Sequence, residues 1–178
     1  MRRFVGGILV SLGLVLGLTT LVPTAQAAAE SRLAAAGIDA SELKPGWVLD
    51  GENVVWGDGD AILSFGTAAA SNACASGYLC LYDNSSFDDQ NKDGVPDGEM
   101  IVRLRGTGQH YMSWYNFDNK MSSWKNYMAD GVLYFFNAPG GALADGCWPS
   151  GQSSYHVGQW ANDRVSAIYI FGPTGDCG

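Results

Sequence analysis

Two six-residue stretches decide the fold of this chain: Asp118-Asn119-Lys120-Met121-Ser122-Ser123 and Asn162-Asp163-Arg164-Val165-Ser166-Ala167. Each has an acid or an amide at its first two positions and a serine at its fifth, and only the first has another serine at its sixth. Carboxylate, amide, hydroxyl and backbone carbonyl oxygens are the ligands that Ca²⁺ takes in proteins. The repeat therefore predicts a duplicated unit with cation-binding turns. The alternative is purely structural, because Asn, Asp and Ser also stabilise turns by bonding to their own backbone.

The sequences around the two turns align once a ten-residue insertion is removed. Tyr82 lies 36 residues before Asp118, whereas Phe136 lies 26 residues before Asn162. The surplus corresponds to residues 88–97, which read Asp-Asp-Gln-Asn-Lys-Asp-Gly-Val-Pro-Asp. Without this insertion the halves are in register. We therefore expect a duplicated four-strand unit whose first copy carries an acidic insertion.

Short apolar, aromatic or β-branched runs dominate the chain from Cys74 onward, and Gly, Asn, Asp and Pro clusters separate them. They lie at residues 78–82, 100–104, 132–136 and 166–171. No stretch there keeps a helical period over three turns. This texture predicts an all-β sandwich or barrel.

The region before Cys74 is predicted to be a short β extension. Residues 47–65 contain two or three strand-like runs around glycine turns, and residues 67–72 read as a linker. Residues 28–37 are Ala-rich and read as a frayed helix or a tail. The extension has no assigned role, and its strands could cover an edge of the sandwich.

The N-terminus has the three parts of a secretory signal peptide: basic Met1-Arg2-Arg3, apolar residues 4–22 and the cleavage site Ala25-Gln26-Ala27. A retained membrane anchor is the alternative. Removing residues 1–27 leaves 8 basic against 18 acidic residues, a formal charge of −10. Such a charge argues against binding nucleic acid or anionic lipid and suits cations or a basic protein surface. We therefore expect a secreted protein, whose oligomeric state the sequence does not give.

Four cysteines in an exported chain predict two disulfides. Three connectivities are possible, and the short spacing of the first two residues favours Cys74–Cys80 with Cys147–Cys177. A zinc site is disfavoured, because the chain has no C-x-x-C motif and its two histidines stand apart.

Two longer stretches carry a resemblance: Cys74-Ala75-Ser76-Gly77-Tyr78-Leu79-Cys80-Leu81-Tyr82 and Asn116-Phe117-Asp118-Asn119-Lys120-Met121-Ser122-Ser123-Trp124. With the second turn, they resemble the βγ-crystallin-like secreted proteins of actinobacteria. These are grouped with the peptidase inhibitors of family I36, typified by the Streptomyces metalloproteinase inhibitor. The resemblance implies a double Greek-key β-sandwich over residues 73–173, preceded by the extension at 28–72 and followed by a tail at 174–178.

The resemblance also implies metal ligands. In calcium-binding members each turn contributes to two sites through its second Asx side chain, a backbone carbonyl and its fifth-position serine. The corresponding residues here are Asn119, Ser122, Asp163 and Ser166. Carbonyls near Asp83 and Asn137 would complete the shell. Ala167 departs from the pattern, because a second serine that supports the turn is usual there.

The acidic insertion predicts a separate calcium loop. Asp89, Asn91, Asp93 and Asp97 place oxygens at loop positions 1, 3, 5 and 9, and Gly94 stands where such a loop turns sharply. No flanking helical pattern is present, so an EF-hand is excluded. The alternative is a solvated hydrophilic loop.

The aromatic residues between 114 and 136 suggest either a core or a sugar-binding platform, and the burial needs of an all-β fold favour the core. Catalysis finds little support, because the chain has no G-x-S-x-G, H-E-x-x-H or P-loop motif.

Three functions therefore compete. The first is a secreted peptidase inhibitor on a calcium-binding scaffold, with residues 138–155 as its contact loop. The second is a calcium-stabilised extracellular module without inhibitory activity. The third is an antimicrobial or toxin-like protein, against which the acidic charge argues.

Overall fold

The computed structural model describes residues 25–57, 59–69, 74–88, 100–136 and 144–172, together with Cys177. A helix, α1 (Ala25–Ala35), comes first. The strands are β1 (Trp47–Asp50), β2 (Asn53–Trp56), β3 (Ala61–Phe65), β4 (Leu79–Tyr82), β5 (Met100–Leu104), β6 (Gly108–Tyr111), β7 (Ser123–Asn126), β8 (Val132–Phe136), β9 (Gly146–Trp148), β10 (Ser153–Ser154) and β11 (Val165–Ile170). Short 3₁₀ helices span Gly66–Ala68, Ser85–Asp88 and Met112–Tyr115.

The strands form two antiparallel sheets whose orders reveal a duplication. The sheets run β1-β2-β3-β5-β4-β7-β10 and β6-β11-β8-β9. We number β4 to β7 as strands one to four of the first unit and β8 to β11 as strands one to four of the second. Each sheet then contains strands two, one and four of one unit, in that order, followed by strand three of the other unit. This exchange defines two intertwined Greek keys. The predicted all-β, double Greek-key sandwich is confirmed.

The core lies between the two sheets and follows the alternation of the strands. Leu79 and Leu81 of β4 point into it, as do Val102 and Leu104 of β5 and Ile168 of β11, all fully buried. Burying one such side chain contributes about 1.5–3 kcal/mol. The other face of β4 is also buried, because a smaller apolar cluster covers it. That cluster contains Ala69, Cys80, Tyr82 and Ile101, with Cys74, Tyr78 and Phe87 packed against them.

The N-terminal strands extend one sheet and close its edge. β3 pairs antiparallel with β5, from Ala61 opposite Leu104 to Phe65 opposite Met100. The β5 edge is thereby removed from solvent, as the sequence suggested, and an exposed edge is a site of unwanted pairing. The segment from residue 47 to residue 65 forms three strands, within the expected number.

The extension also shares the core of the sandwich. Leu33 of α1, Ile38 and Leu43 are buried in the same apolar cluster as the Greek-key strands. Trp56 makes an edge-to-face contact with Tyr115, with ring centroids 5.1 Å apart. Residues 28–37, expected as a frayed helix or tail, therefore lie largely in a helix that is anchored by a buried leucine.

The two disulfides are Cys74–Cys80 and Cys147–Cys177, the favoured connectivity. The first closes the short turn that leads into β4, and the second joins β9 to Cys177. All four cysteines are paired.

Of the eight aromatic residues between 114 and 136, three are buried in the core and three more pack against it, which agrees with the expected core role. Tyr115, Phe117 and Trp124 are buried. Tyr134 stacks on Trp148 with centroids 4.8 Å apart, and Trp148 stacks on Trp124 at 5.1 Å. This three-ring stack links β7, β8 and β9.

A buried histidine lies where the extension meets the sandwich. His110 Nε2 is 2.8 Å from the carbonyl oxygen of Gly106, which can only accept, so Nε2 carries the hydrogen. Nδ1 of the neutral ring then accepts the hydroxyl of Tyr115 at 2.8 Å. Desolvation lowers the pKa of His110, and Lys44 acts in the same direction, whereas the Gly106 carbonyl and Asp60 oppose it.

This geometry predicts a pH-dependent stability. Below the unfolded pKa of about 6.5 the unfolded chain binds a proton that folded His110 resists, so the free energy of unfolding falls as the pH falls. We expect urea midpoints of the wild type to fall between about pH 7.5 and about pH 5, and the His110→Gln variant to show a shallower fall. The matched control is His156→Gln, at the exposed histidine, which should keep the wild-type slope. Equal slopes in all three proteins would contradict the prediction.

Candidate functional site

The two repeated turns have the same unusual backbone conformation. Asn119 and Asp163, at the second position of each turn, have φ values of 54° and 53°. This left-handed region is costly for most residues, and Asn and Asp adopt it more readily because their short polar side chains bond locally. The repeated Asx residues are therefore needed for the shape of the turns, whatever else they do.

The two turns lie against each other and exchange backbone hydrogen bonds. Asn119 N–H donates to the carbonyl of Val165 at 3.3 Å, and Asp163 N–H donates to the carbonyl of Met121 at 3.1 Å. In both directions the second position of one turn bonds to the fourth position of the other. The turns thus form one unit with approximate two-fold symmetry.

The side chains at this unit combine across the turns. Ser166 Oγ donates to Asn119 Oδ1 at 3.3 Å, which joins the fifth position of the second turn to the second position of the first. The bond from Asp163 to the residue before Ser122 places Asp163 beside Ser122 in the corresponding way. Both serines are buried and both Asx side chains are exposed. Asn119 and Ser166 are therefore in direct contact, and the backbone bond to Met121 brings Asp163 to the neighbourhood of Ser122.

Amide groups complete each turn. Asn119 Nδ2 donates to Asp118 Oδ2 at 3.2 Å, and Asn162 Nδ2 donates to Asp163 Oδ2 at 2.6 Å. These local bonds are the ones that the purely structural interpretation of the turns expects.

The carbonyl predicted near Asp83 lies close to the first turn. Ser122 N–H donates to the carbonyl of Tyr82 at 2.9 Å, and Tyr82 pairs with Ser123 in the β4–β7 register. This register places Asp83 opposite Ser122. The equivalent residue of the second unit, Asn137, lies outside the described residues.

The donor set fits a hard cation. Asn119 Oδ1 and Ser166 Oγ are 3.3 Å apart, and two oxygens that are each about 2.3–2.6 Å from one Ca²⁺ can have such a separation. Among the described residues, no group of three or more His, Cys, Asp or Glu side chains could hold a metal. A cation here would therefore rely mainly on amide, hydroxyl and carbonyl oxygens, with the carboxylates of Asp118 and Asp163 as the acidic groups of the two turns.

The sixth position explains how the two units differ. Ser123 is fully buried, and its Oγ donates to the carbonyl of Asn84 at 2.6 Å and accepts the N–H of Phe87 at 3.2 Å. It thereby fixes the short helix Ser85–Asp88, next to the acidic insertion. Ala167 is also fully buried but has no hydroxyl to make such bonds. The insertion's predicted ligands, Asp89, Asn91, Asp93 and Asp97, lie outside the described residues.

Sequence reasoning missed the residue that fixes the loop between β9 and β10. Asn126 is fully buried, and its Nδ2 lies 2.9, 3.0 and 3.2 Å from the carbonyl oxygens of Asp130, Trp148 and Pro149. Its backbone N–H donates to the Gln152 carbonyl and its own carbonyl accepts the N–H of Gly151, both at 2.8 Å. A lone asparagine in a strand carries no signal in sequence. The segment that Asn126 holds is recognisable in the sequence, because residues 146–161 contain no Asp, Glu, Lys or Arg.

Comparisons with known proteins found similar solved structures but no matching family. No protein-family model and no curated protein matches the chain. One similar solved structure concerns the evolution of the eye lens βγ-crystallin domain fold, with 16% identity over 61% of this chain and 96% of that one and a TM-score of 0.43. Another is a double mutant of a βγ-crystallin domain from Clostridium beijerinckii, with 21% identity over 53% of this chain and 96% of that one and a TM-score of 0.39.

Both similar structures are βγ-crystallin domains, and the similarity concerns the fold alone. The double Greek-key topology stands independently on the strand order. In the described part of the chain, no helix has the length and apolarity to cross a membrane.

The hydrogen bonds of Ser123 predict that removing its hydroxyl group destabilises the protein more than removing the hydroxyl of an exposed serine. Replacing Ser123 by Ala leaves the Asn84 carbonyl and the Phe87 N–H without this partner, so we expect a loss of about 1–3 kcal/mol in the free energy of unfolding. Urea unfolding measures this loss. The control is Ser113→Ala, at an exposed serine of the helix Met112–Tyr115, which should change stability by less than about 0.5 kcal/mol. A Ser123→Ala protein as stable as the control would show that these bonds contribute nothing.

Proposed function

We propose that this chain is a secreted calcium-binding module of βγ-crystallin-like fold, in which the paired turns hold the cation. The observation that carries the proposal is the exchange of hydrogen bonds between the turns. It brings side-chain oxygens from two turns, 44 residues apart in sequence, to one place. A cation bound there would link the two Greek-key units directly.

The pairing assigns the residues to two positions. In this proposal Asn119 and Ser166 supply oxygens to one position, and Asp163 and Ser122 supply them to the other, with the carbonyl near Asp83 next to Ser122. Ligand charge raises calcium affinity. The position with the Asp163 carboxylate is therefore the tighter of the two, and the position with the Asn119 amide is the weaker.

The rest of the molecule suits this function. The formal charge of −8, or −10 after loss of residues 1–27, attracts cations. Two disulfides without a free cysteine suit an oxidising, extracellular compartment. Calcium that binds only the folded state would stabilise it, by about 2.7 kcal/mol when its concentration is a hundred times the dissociation constant.

Calcium should raise the melting temperature of the wild type above its value in chelator. We expect Asp163→Asn, which keeps the side-chain shape and removes the charge, to lose more of this rise than Asn119→Ala. Ser122→Arg and Ser166→Arg should each lose one class of site in isothermal titration, because a guanidinium replaces a ligand and repels the ion. The control is Ser76→Arg, at an exposed serine of the Cys74–Cys80 turn.

The calcium-induced rise is the quantity compared, so a variant that is less stable in chelator remains informative. Asp93→Ala tests the insertion separately: a rise lost only in this variant would assign calcium to residues 89–97 instead of the turns. A wild type with neither calcium heat nor a melting shift would refute the calcium proposal.

A second candidate function, inhibition of a secreted peptidase, is favoured by one feature. Residues 144–155, the described part of the predicted contact loop, are fixed at their base by Asn126 and the Cys147–Cys177 disulfide. A segment held in one conformation loses little entropy when it binds. Inhibitors that resist cleavage need such a segment, and a freely moving loop would be a substrate.

We therefore expect the mature protein to inhibit at least one secreted peptidase class at micromolar concentration. A panel of thermolysin-like, subtilisin-like and chymotrypsin-like enzymes measures this, with a disulfide-reduced sample as the control that has lost the fixed loop. No inhibition of any enzyme would remove this candidate and leave the calcium-binding module intact.

A further inference from the structure

One segment of this acidic protein has the composition of a protein-binding surface. Residues 146–161 have no formal charge, whereas the whole chain has 28 charged residues in 178. The segment also carries the two most exposed large apolar side chains in the described part of the chain, Tyr155 at 70% and Trp160 at 81%. The centres of protein interfaces are depleted of charge and enriched in Tyr and Trp.

The backbone just before Tyr155 forms an open strand edge. Among the described residues, β10 is the last strand of the seven-stranded sheet and pairs only with β7. Asn126 N–H on β7 donates toward this edge strand, to the Gln152 carbonyl at 2.8 Å. Because the backbone groups of an antiparallel strand alternate in direction, Ser154 bonds toward β7, and the N–H and C=O groups of Ser153 point away from the sheet.

The segment is held in this conformation from both ends. Before β10, Asn126 binds the carbonyls of Trp148 and Pro149, and Ser150 Oγ donates to the Met128 carbonyl at 2.6 Å. After β10, Val157 N–H donates to the Ser122 carbonyl at 3.0 Å. Ser154 Oγ also donates to the His156 carbonyl at 2.7 Å. Tyr155 is therefore an exposed aromatic side chain at a bend of the chain that is fixed on both sides.

We propose that residues 152–156 enter the substrate cleft of a peptidase that selects aromatic residues, with the Tyr155 side chain in its specificity pocket. Peptides that add to a sheet edge bind through main-chain hydrogen bonds and gain specificity from pockets for alternate side chains. The outward backbone groups of Ser153 can make such main-chain hydrogen bonds, and the exposed side chain of Tyr155 can enter such a pocket. The inference rests on the inhibitory function proposed above and names its contact residue and the specificity of its target.

The absence of Lys and Arg from residues 146–161 predicts that inhibition is selective among peptidases. A peptidase whose pocket requires a basic side chain finds none in this segment. The protein should therefore inhibit chymotrypsin and leave trypsin active. Tyr155→Lys should reverse this order, because it changes the side chain that enters the pocket and preserves the backbone that presents it.

The experiment measures inhibition constants of the mature protein and three variants against chymotrypsin and trypsin. Tyr155→Ala should weaken chymotrypsin inhibition by roughly tenfold or more, as expected for a central aromatic contact. Tyr155→Lys should lose chymotrypsin inhibition and gain trypsin inhibition. The matched control is Tyr169→Ala, because Tyr169 is 41% exposed on β11 of the other sheet, and it should inhibit like the wild type. Melting temperatures of the Tyr155 variants should match the wild type, since this side chain is mostly in solvent.

The outcomes separate the inference from the function on which it rests. A wild type that inhibits chymotrypsin, with Tyr155→Ala equally potent, overturns the role of Tyr155 and keeps the inhibitor. A wild type that inhibits neither enzyme nor any of the panel overturns both. If the wild type inhibits nothing but sediments with an insoluble neutral polysaccharide, and Tyr155→Ala and Trp160→Ala abolish sedimentation, the segment is a sugar-binding surface and the peptidase proposal is wrong.

Discussion

The rest of the structure depends on two backbone hydrogen bonds that join the two repeated turns. The bonds from Asn119 to Val165 and from Asp163 to Met121 join the ends of the two Greek-key units just before their last strands begin. β7 and β11 therefore start from a common point and enter opposite sheets. Because each unit also gives its third strand to the other sheet, neither sheet is complete without both units. The same contact places Ser122 and Ser166 beside the opposing Asx residues, so the candidate cation site follows from the way the fold is closed.

The approximate symmetry is broken where each unit has a different neighbour. The first unit carries the acidic insertion, and Ser123 fixes the short helix that leads into it; the second has Ala167 at the equivalent position. The first unit also receives β1 to β3 at its β5 edge, and Leu33 and Ile38 pack into the common core. The extension is thus part of the stable unit. His110 is buried near this junction, with its ring nitrogens 2.8 Å from the Tyr115 hydroxyl and the Gly106 carbonyl.

The distribution of charge separates two surfaces with different chemistry. The acidic chain favours cations, and the paired turns supply oxygens where one could bind. The segment from residue 146 to residue 161 has no formal charge and exposes Tyr155 and Trp160. Asn126 connects these regions, because it lies at the end of β7, the strand that begins beside the first turn, and binds the carbonyls that shape the uncharged loop. One strand, β7, therefore connects the candidate calcium site to the candidate inhibitory loop.

The sequence determined the features that depend on neighbouring residues. The Asx turns, the Cys74–Cys80 turn and the apolar strands β4, β5, β8 and β11 were predictable, because local backbone preference and short-range side-chain pattern define them. The polar strands β6, β7 and β10 were not, because Gly-Gln-His-Tyr, Ser-Trp-Lys-Asn and Ser-Ser have no apolar alternation and become strands by pairing. The tertiary structure alone decided that Ser166 meets Asn119, that β3 covers β5 and that Asn126 holds a loop 22 residues away. Each of these joins residues distant in the chain, and their meeting is fixed by the packing of the two sheets rather than by any local preference.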